Sequence, residues 1–320
     1  MSEPTDTPVP ADVLAEAPIQ AAPTTRRLSV RHETCYEYDT PVEVAHHSAW
    51  LRPRDTDWQR VHGWQMAIRP EPECAVQESQ DAFGNWRHGF SHARVHERLE
   101  VVSTFEVDIS LAPGSASSGD GPTWDEAAQA LRYRAGQQQP EAVAFLLGSH
   151  FAPQDARLAA FGEGLFTPGR PLAEVAETLM ARVHERMLYK PLSTDVATSA
   201  LDALAQGQGV CQDFAHLMIG VLRSHGLAAR YVSGYLLTHP QAGQPRLVGA
   251  DASHAWVSVW CPERGWLALD PTNNIAAGLD HVTLAWGRDY ADVAPLRGVI
   301  RGGGAAQPSV AVTVQPVEEA

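Results

Sequence analysis

Between Gly207 and Thr272 the chain carries a thiol, an imidazole and a carboxylate. Cys211 lies in Gly209-Val210-Cys211-Gln212-Asp213, His254 in Ser253-His254-Ala255-Trp256, and Asp270 in Leu269-Asp270-Pro271-Thr272. These residue types can together perform covalent acyl chemistry. A thiolate attacks a carbonyl carbon, an imidazole moves the proton as base and then acid, and a carboxylate fixes the ring's tautomer and orientation.

Each of the three needs an element to position it. After Cys211 comes an apolar run, Phe214, Ala215, Leu217, Met218, Ile219, Val221 and Leu222, followed by Arg223, His225 and Gly226. This pattern predicts a buried helix with a cationic last turn and a glycine stop. Cys211 then falls in the first turn, where unpaired N–H groups and the helix dipole favour a thiolate. Residues 254–260 and 264–270 read as strands joined by Pro262-Glu263-Arg264-Gly265. A hairpin centred on Pro262 pairs His254 directly with Asp270 on one face, roughly 5 Å apart at Cβ. A longer turn would shift that register.

Other residues near the triad carry lesser roles. The Cys211 backbone N–H is a natural oxyanion donor because a helix start leaves it without an intrahelical acceptor. Gln206 or Gln208 could supply a second donor, or be polar loop residues. Asp213 and His216, on the predicted helix, are read as supporting groups, and Trp256 as core or pocket wall. Cys35, Cys74 and Cys261 lack such partners and are read as structural thiols. His88, His92 and His96 recur every four residues, a metal-ligand spacing only on a helix. Trp86 to Glu97 reads as strand, so the expectation is histidines spread along a solvated sheet face and no metal.

The rest of the chain supplies the frame. Residues 1–27 are proline- and alanine-rich and are expected to be a disordered tail. Alternation from Leu28 to Tyr38 predicts a strand with one buried face. Further strands are expected near 42–52, 61–69, 74–80, 86–92 and 94–110, with Asp81-Ala82-Phe83-Gly84-Asn85 as a turn, giving an antiparallel β-domain over 28–111. Residues 112–122 read as a linker. Thr123-Trp124-Asp125-Glu126 has the form of a capping box. Pro171 opens a helix whose Leu172, Val175, Ala176, Leu179, Val183 and Met187 share a stripe. Strands near 229–237, 247–250, 254–260, 264–270, 281–286 and 309–315 complete an α+β domain with an antiparallel sheet over 123–316.

These motifs resemble the bacterial and archaeal transglutaminase-like superfamily. The resemblance rests on Cys211 and Asp213, Gly234-Tyr235, His254-Ala255-Trp256 and Asp270-Pro271-Thr272. Leu28 to Asn85, with Leu51-Arg52-Pro53, is similar to the β-rich N-terminal region often fused to that domain, and Gly287 to Pro295 to its C-terminal loop. The resemblance implies a papain-like catalytic core acting on amides. Papain-like proteases place their glutamine further upstream of the cysteine than Gln206 and Gln208 stand. The implied activity is a protease or amidase working through a thioester; the alternatives are an amine-transferring transglutaminase and a non-catalytic scaffold. Substrates would be peptides, proteins or other amides.

Composition fits that reading. The 320 residues are 44% hydrophobic and 19% charged, with a net charge of -14, which argues against nucleic acid or an anionic membrane as partner. No apolar run approaches the roughly 18 residues of a membrane span. The acidic, proline-rich start lacks a secretory pattern, so a cytoplasmic location is expected. Four cysteines without paired spacing suit reduced thiols. No calcium-loop pattern occurs, and no cofactor is expected.

Overall fold

The computed structural model describes residues 24–111, 121–136, 140–191, 193, 197–238, 253–306 and 308–317. Most of the expected tail, linker residues 112–120 and the expected strand at 247–250 lie outside the described residues. The fold is α+β: a β-rich N-terminal region followed by helices packed on an antiparallel sheet.

The N-terminal region contains β1 (Thr25–Ala49), β2 (Gln59–Arg69), β3 (Gln77–Gln80), β4 (Trp86–His92) and β5 (His96–Ser110). They lie in the order β2-β5-β1-β4-β3. The two strands expected at 28–38 and 42–52 are one. Its register with β5 slips between Glu37 and Val42, so the Asp39-Thr40-Pro41 segment bends the strand without ending it.

The helical part comprises α1 (Trp124–Ala130), α2 (Ala156–Phe161), α3 (Leu172–Arg186), β6 (Leu188–Tyr189), α4 (Ala200–Gln206), β7 (Gln208–Gly209) and α5 (Cys211–Ser224). The capping box at Thr123 and Glu126 is present. The apolar stripe of α3 is buried as expected, and Met187 just beyond it is buried too. The central helix is α5, buried from Gln212 through Arg223. Arg223 does more than complement the helix dipole: its buried guanidinium donates to the carbonyls of Phe145, Ala229 and Arg288.

The second sheet is built from β8 (Ala229–Leu236), β9 (Ser253–Cys261), β10 (Gly265–Asp270), β11 (Ile275–Ala276) and β12 (His281–Gly287), ordered β11-β10-β9-β8-β12. After α6 (Tyr290–Val293) come β13 (Leu296–Gly302) and β14 (Pro308–Pro316). The strand expected at 309–315 forms but not in the second sheet, as β14 pairs with Leu28–Tyr36 of β1, and the unforeseen β13 pairs with β1 further along. Alternation at Val310, Val312 and Val314 marks a strand without specifying its neighbour.

A shared core joins the two sheets. Leu28 and Val30 of β1, Phe105, Val107 and Ile109 of β5, and Val312 and Val314 of β14 pack against Tyr235 of β8 and Val282 and Leu284 of β12. All alternate along their strands, so one face of the first sheet covers the second. Two side-chain amides also seal β12, the edge strand of its sheet. Gln59 donates to the Thr283 carbonyl at 2.7 Å and accepts from its N–H at 2.7 Å. Asn85 does the same for Trp286, at 2.8 and 3.0 Å. Each amide stands in for a neighbouring strand, which gives the last residue of the Asp81–Asn85 turn a docking role. Replacing Asn85 or Gln59 by Leu leaves backbone groups of β12 unpaired. Each substitution should lower unfolding stability by about 1–3 kcal/mol, measured by denaturant titration.

Candidate functional site

The start of α5 is shaped by its glycines and by Asp213. Gly207 closes α4 in the left-handed region, at φ 66°. The Asp213 carboxylate folds back to accept the Val210 N–H at 2.8 Å. A Cβ on Gly209 would lie 2.5 Å from that carboxylate oxygen. The Gly-Val-Cys-Gln-Asp pattern is therefore a local solution for starting a helix at Cys211, and Asp213 supports the site as a cap. Cys211 is partly buried at the first helical position.

His254 enters from β9. The observed hairpin pairs Cys261 with Gly265 and Leu269 with Val257, so it is centred on Glu263 and not on Pro262. Three residues, Pro262 to Arg264, form the turn, and Gly265 takes a φ of 75°. Continuing the register sets Asp270 opposite Trp256, with His254 diagonal to it. The partner changes by two residues, which preserves the shared face. Contact is kept, with His254 Nε2 bonded to Asp270 Oδ2 at 2.7 Å.

Asp270 is fully buried at the end of β10. Its Oδ1 accepts the N–H groups of Thr272 and Asn273 at 3.0 and 3.2 Å. Its Oδ2 accepts from His254, from Asn273 Nδ2 at 2.7 Å and from His281 Nε2 at 3.2 Å. Burial alone would raise its pKa. The hydrogen bonds from His254 and His281, the charge on His254 and the Asn273 amide outweigh that and hold the carboxyl well below the usual range.

With Nε2 held by Asp270, the other ring nitrogen of His254 is left for Cys211. Burial disfavours a charged ring, but hydrogen bonds to Asp270 and Cys211 and their charges prevail and push the His254 pKa up to about 10. The imidazole is thus held ready to carry a proton beside the thiol. Such a pair can deliver a sulfur nucleophile and return a proton to a leaving group.

Trp256 is buried, with its ring edge-on to His281 at 5.2 Å. A Cβ on Gly234 would lie against the Val282 carbonyl of β12 and 2.5 Å from the Trp256 ring, so the glycine of Gly234-Tyr235 allows the close approach of β12 and leaves room for the tryptophan behind the imidazole. Tyr235 bonds to His32 of β1 at 2.8 Å and ties the two sheets together beside the site. Gln206 is exposed at the end of α4, and Gln208 lies in β7. Neither lines the cavity onto which Cys211 and His254 open, whereas Gln212 does. His216 is buried and accepts the Tyr290 N–H; burial pushes its pKa down to about 3, which suits a neutral supporting group.

His281 and Asn273 were missed by sequence reasoning. Asn273 lies three residues after Asp270, where an Asx-type turn could have been suspected. His281 lies on another strand and carries no local signal. His254, Asp270 and His281 have ligand-type atoms within 4.8 Å of one another. Yet His281 Nδ1 accepts the Gly278 N–H, which places its proton on Nε2, facing Asp270. The arrangement is accounted for by hydrogen bonds and does not aim a free lone pair from His281 at a metal.

His88, His92 and His96 lie along strands as expected but are buried, not solvated. His88 packs on Trp64 at 4.7 Å, and His96 packs on Tyr38 and His92. Each has its own partner, Glu78, the Pro70 carbonyl and the Arg94 carbonyl respectively. Among the described residues these three histidines do not converge as the ligand-type atoms of His254, Asp270 and His281 do. Cys35 and Cys261 are buried, Cys74 is exposed, and all four cysteines are free.

Comparison with known proteins identifies the family and the fold. Residues 28–108 match the bacterial transglutaminase-like N-terminal region, and residues 159–271 the transglutaminase-like superfamily. An uncharacterised Mycobacterium tuberculosis protein is 38% identical over 281 residues, spanning 86% of this chain and 88% of that protein. A protein-glutamine gamma-glutamyltransferase of Pseudomonas aeruginosa is 39% identical over 137 residues, 40% of this chain and 20% of that enzyme. A candidate cysteine protease from Cytophaga hutchinsonii superposes with a TM-score of 0.71 at 18% identity, covering 92% of each chain, a likeness that speaks for the fold.

The electrostatics have a measurable consequence. The folded-state pKa of His254, about 10, exceeds its ordinary 6.5, so its stabilising contribution is full below about pH 6.5 and is lost as pH rises through about 10. That of Asp270, whose pKa is depressed from 3.8, is present above about pH 4 and lost as pH falls. The stability gap between wild type and Asp270→Asn should therefore be largest between about pH 4 and 6.5. Histidine-ring NMR should show the His254 midpoint falling in the variant, because burial remains while the carboxylate is gone.

Proposed function

This chain belongs to the transglutaminase-like superfamily, and from that premise we propose that it is a cysteine enzyme acting on amide carbonyls, most simply as a protease or amidase. The observation that carries the reading is the 2.7 Å hydrogen bond from His254 to the buried Asp270, with Cys211 facing the same cavity as the His254 ring.

In the proposed cycle the Cys211 sulfur attacks the amide carbon, and the carbonyl oxygen becomes an oxyanion facing the N–H groups at the start of α5. The C–N bond then breaks. The protonated His254 ring gives its proton to the departing nitrogen, so ammonia or an amine leaves and a thioester remains on Cys211. Water attacks the thioester, His254 takes its proton, and release of the acid restores the starting pair. Asp270 keeps the ring oriented and its positive charge favourable throughout. The cycle requires no cofactor.

Transfer to an amine is a second reading, supported by the Pseudomonas gamma-glutamyltransferase. Both outcomes share the thioester and differ only in what resolves it. The scaffold alternative has less support, because a protein without turnover has no need to hold an imidazole protonated beside a thiol. Free cysteines, one of them exposed, support the proposed cytoplasmic setting. Among the described residues no helix is long and apolar enough to cross a membrane.

Mass spectrometry of a glutamine-peptide library, incubated with and without a primary amine, separates hydrolysis, deamidation and crosslinking. Cys211→Ser and Cys211→Ala should reduce any such activity to background, while Asp270→Asn should lower turnover by about a thousandfold or more. Chelators should leave the rate unchanged. Appreciable turnover in both Cys211 variants would refute the mechanism.

A further inference from the structure

Cys211 and His254 open onto a cavity of about 360 Å³, within the roughly 300–1,000 Å³ common for ligand clefts. Its two walls have different origins. Tyr189, Tyr231 and Tyr290 come from the unit that carries the triad, whereas Tyr36 of β1 and Pro308 and Val310 of β14 come from the first sheet. The shared core and the Gln59 and Asn85 amides fix that second wall in place.

Among the described residues no Asp, Glu, Lys or Arg side chain lines this cavity, in a chain with 38 acidic and 24 basic residues. His32 in the wall is neutral near pH 7, because burial pushes its pKa down to about 4. Burial also raises the pKa of all four tyrosines and keeps them neutral. Tyr189 and Val310 are each 51% exposed. Isolated exposed apolar side chains are ordinary, but these two stand in the lining of the cavity that holds the thiol.

We propose that this cavity is the subsite for the residue flanking the attacked glutamine of a peptide substrate, and that it selects a large uncharged side chain, aromatic or aliphatic. The proposal rests on Cys211 being the nucleophile and on the attacked amide being that of a glutamine side chain. An aromatic ring would gain contact with the tyrosines, whereas a carboxylate or ammonium would lose water and meet, among the described lining residues, only the His254 ring, whose charge Asp270 already compensates. The β-rich region thereby contributes directly to specificity.

The test uses full-length protein and peptides carrying a chloromethyl ketone in place of the glutamine side-chain amide, flanked by Phe, Leu, Ser, Asp or Lys. The rate of Cys211 modification is read by mass spectrometry, with iodoacetamide as a small reference reagent. Expected are selective labelling of Cys211 over Cys35, Cys74 and Cys261 and a Phe-over-Asp preference of about tenfold or more. In Val310→Lys that ratio should fall about tenfold, while Val310→Ala should weaken the Phe preference without favouring Asp. Selective labelling with rates that ignore the flanking residue, or a ratio unchanged in Val310→Lys, would overturn the subsite and leave the nucleophile standing. Labelling of Cys211 no faster than the other cysteines would overturn the catalytic reading and the subsite with it.

Discussion

Asp270 is the group on which the site's geometry depends. A fully buried carboxylate is tolerable only when its charge is compensated and its lone pairs are used. Here Oδ1 takes two backbone N–H groups and Oδ2 takes two imidazoles and an amide. The carboxylate fixes which nitrogen of His254 faces inward and therefore which one is left free of it. Its backbone partners, Thr272 and Asn273, turn the chain immediately after Pro271, so the Asp-Pro-Thr motif is also the end of a strand. One interaction thus sets ring tautomer, proton affinity and local chain direction.

The fold converts that local arrangement into an open site with two walls. The core between the sheets contains residues from both ends of the described chain, Leu28 and Val30 of β1 with Val312 and Val314 of β14. Capping of β12 by two amides removes an exposed edge that could otherwise recruit a foreign strand. The His32–Tyr235 bond lies in the same region. A β-region held this firmly provides a fixed surface beside Cys211, which is what a selective cleft requires.

Much of this was legible in the sequence, because local rules govern it. The helix start at Cys211, the capping box at Thr123, the α3 stripe and the strand character of 254–260 and 264–270 follow from periodicity and capping chemistry. Non-local pairing was not legible. β14 joined the sheet of β1 because a two-residue alternation states that a face is apolar and not which strand lies beside it. The hairpin centre moved from Pro262 to Glu263 because Gly265, at positive φ, belongs to the strand end. The inference that His254 meets Asp270 survived only because the displacement preserved facing. His88, His92 and His96 show the converse limit, since strand spacing placed them on a face but could not show that Trp64 and Tyr38 would cover it.

The glycines of the motifs complete the connection between sequence and chemistry. Gly209 is required by the Asp213 carboxylate that caps α5, and Gly234 by the Val282 carbonyl of β12 together with the Trp256 ring two residues beyond His254. Each provides room for a neighbouring side chain, Asp213 near Cys211 and Trp256 near His254. A family pattern of this kind is therefore a record of packing as much as of catalysis. The same residues that allow α5 to begin and β8 to lie against β9 place Cys211 and His254 on one cavity, with Asp270 bonded to the imidazole and the first sheet forming part of the cavity wall.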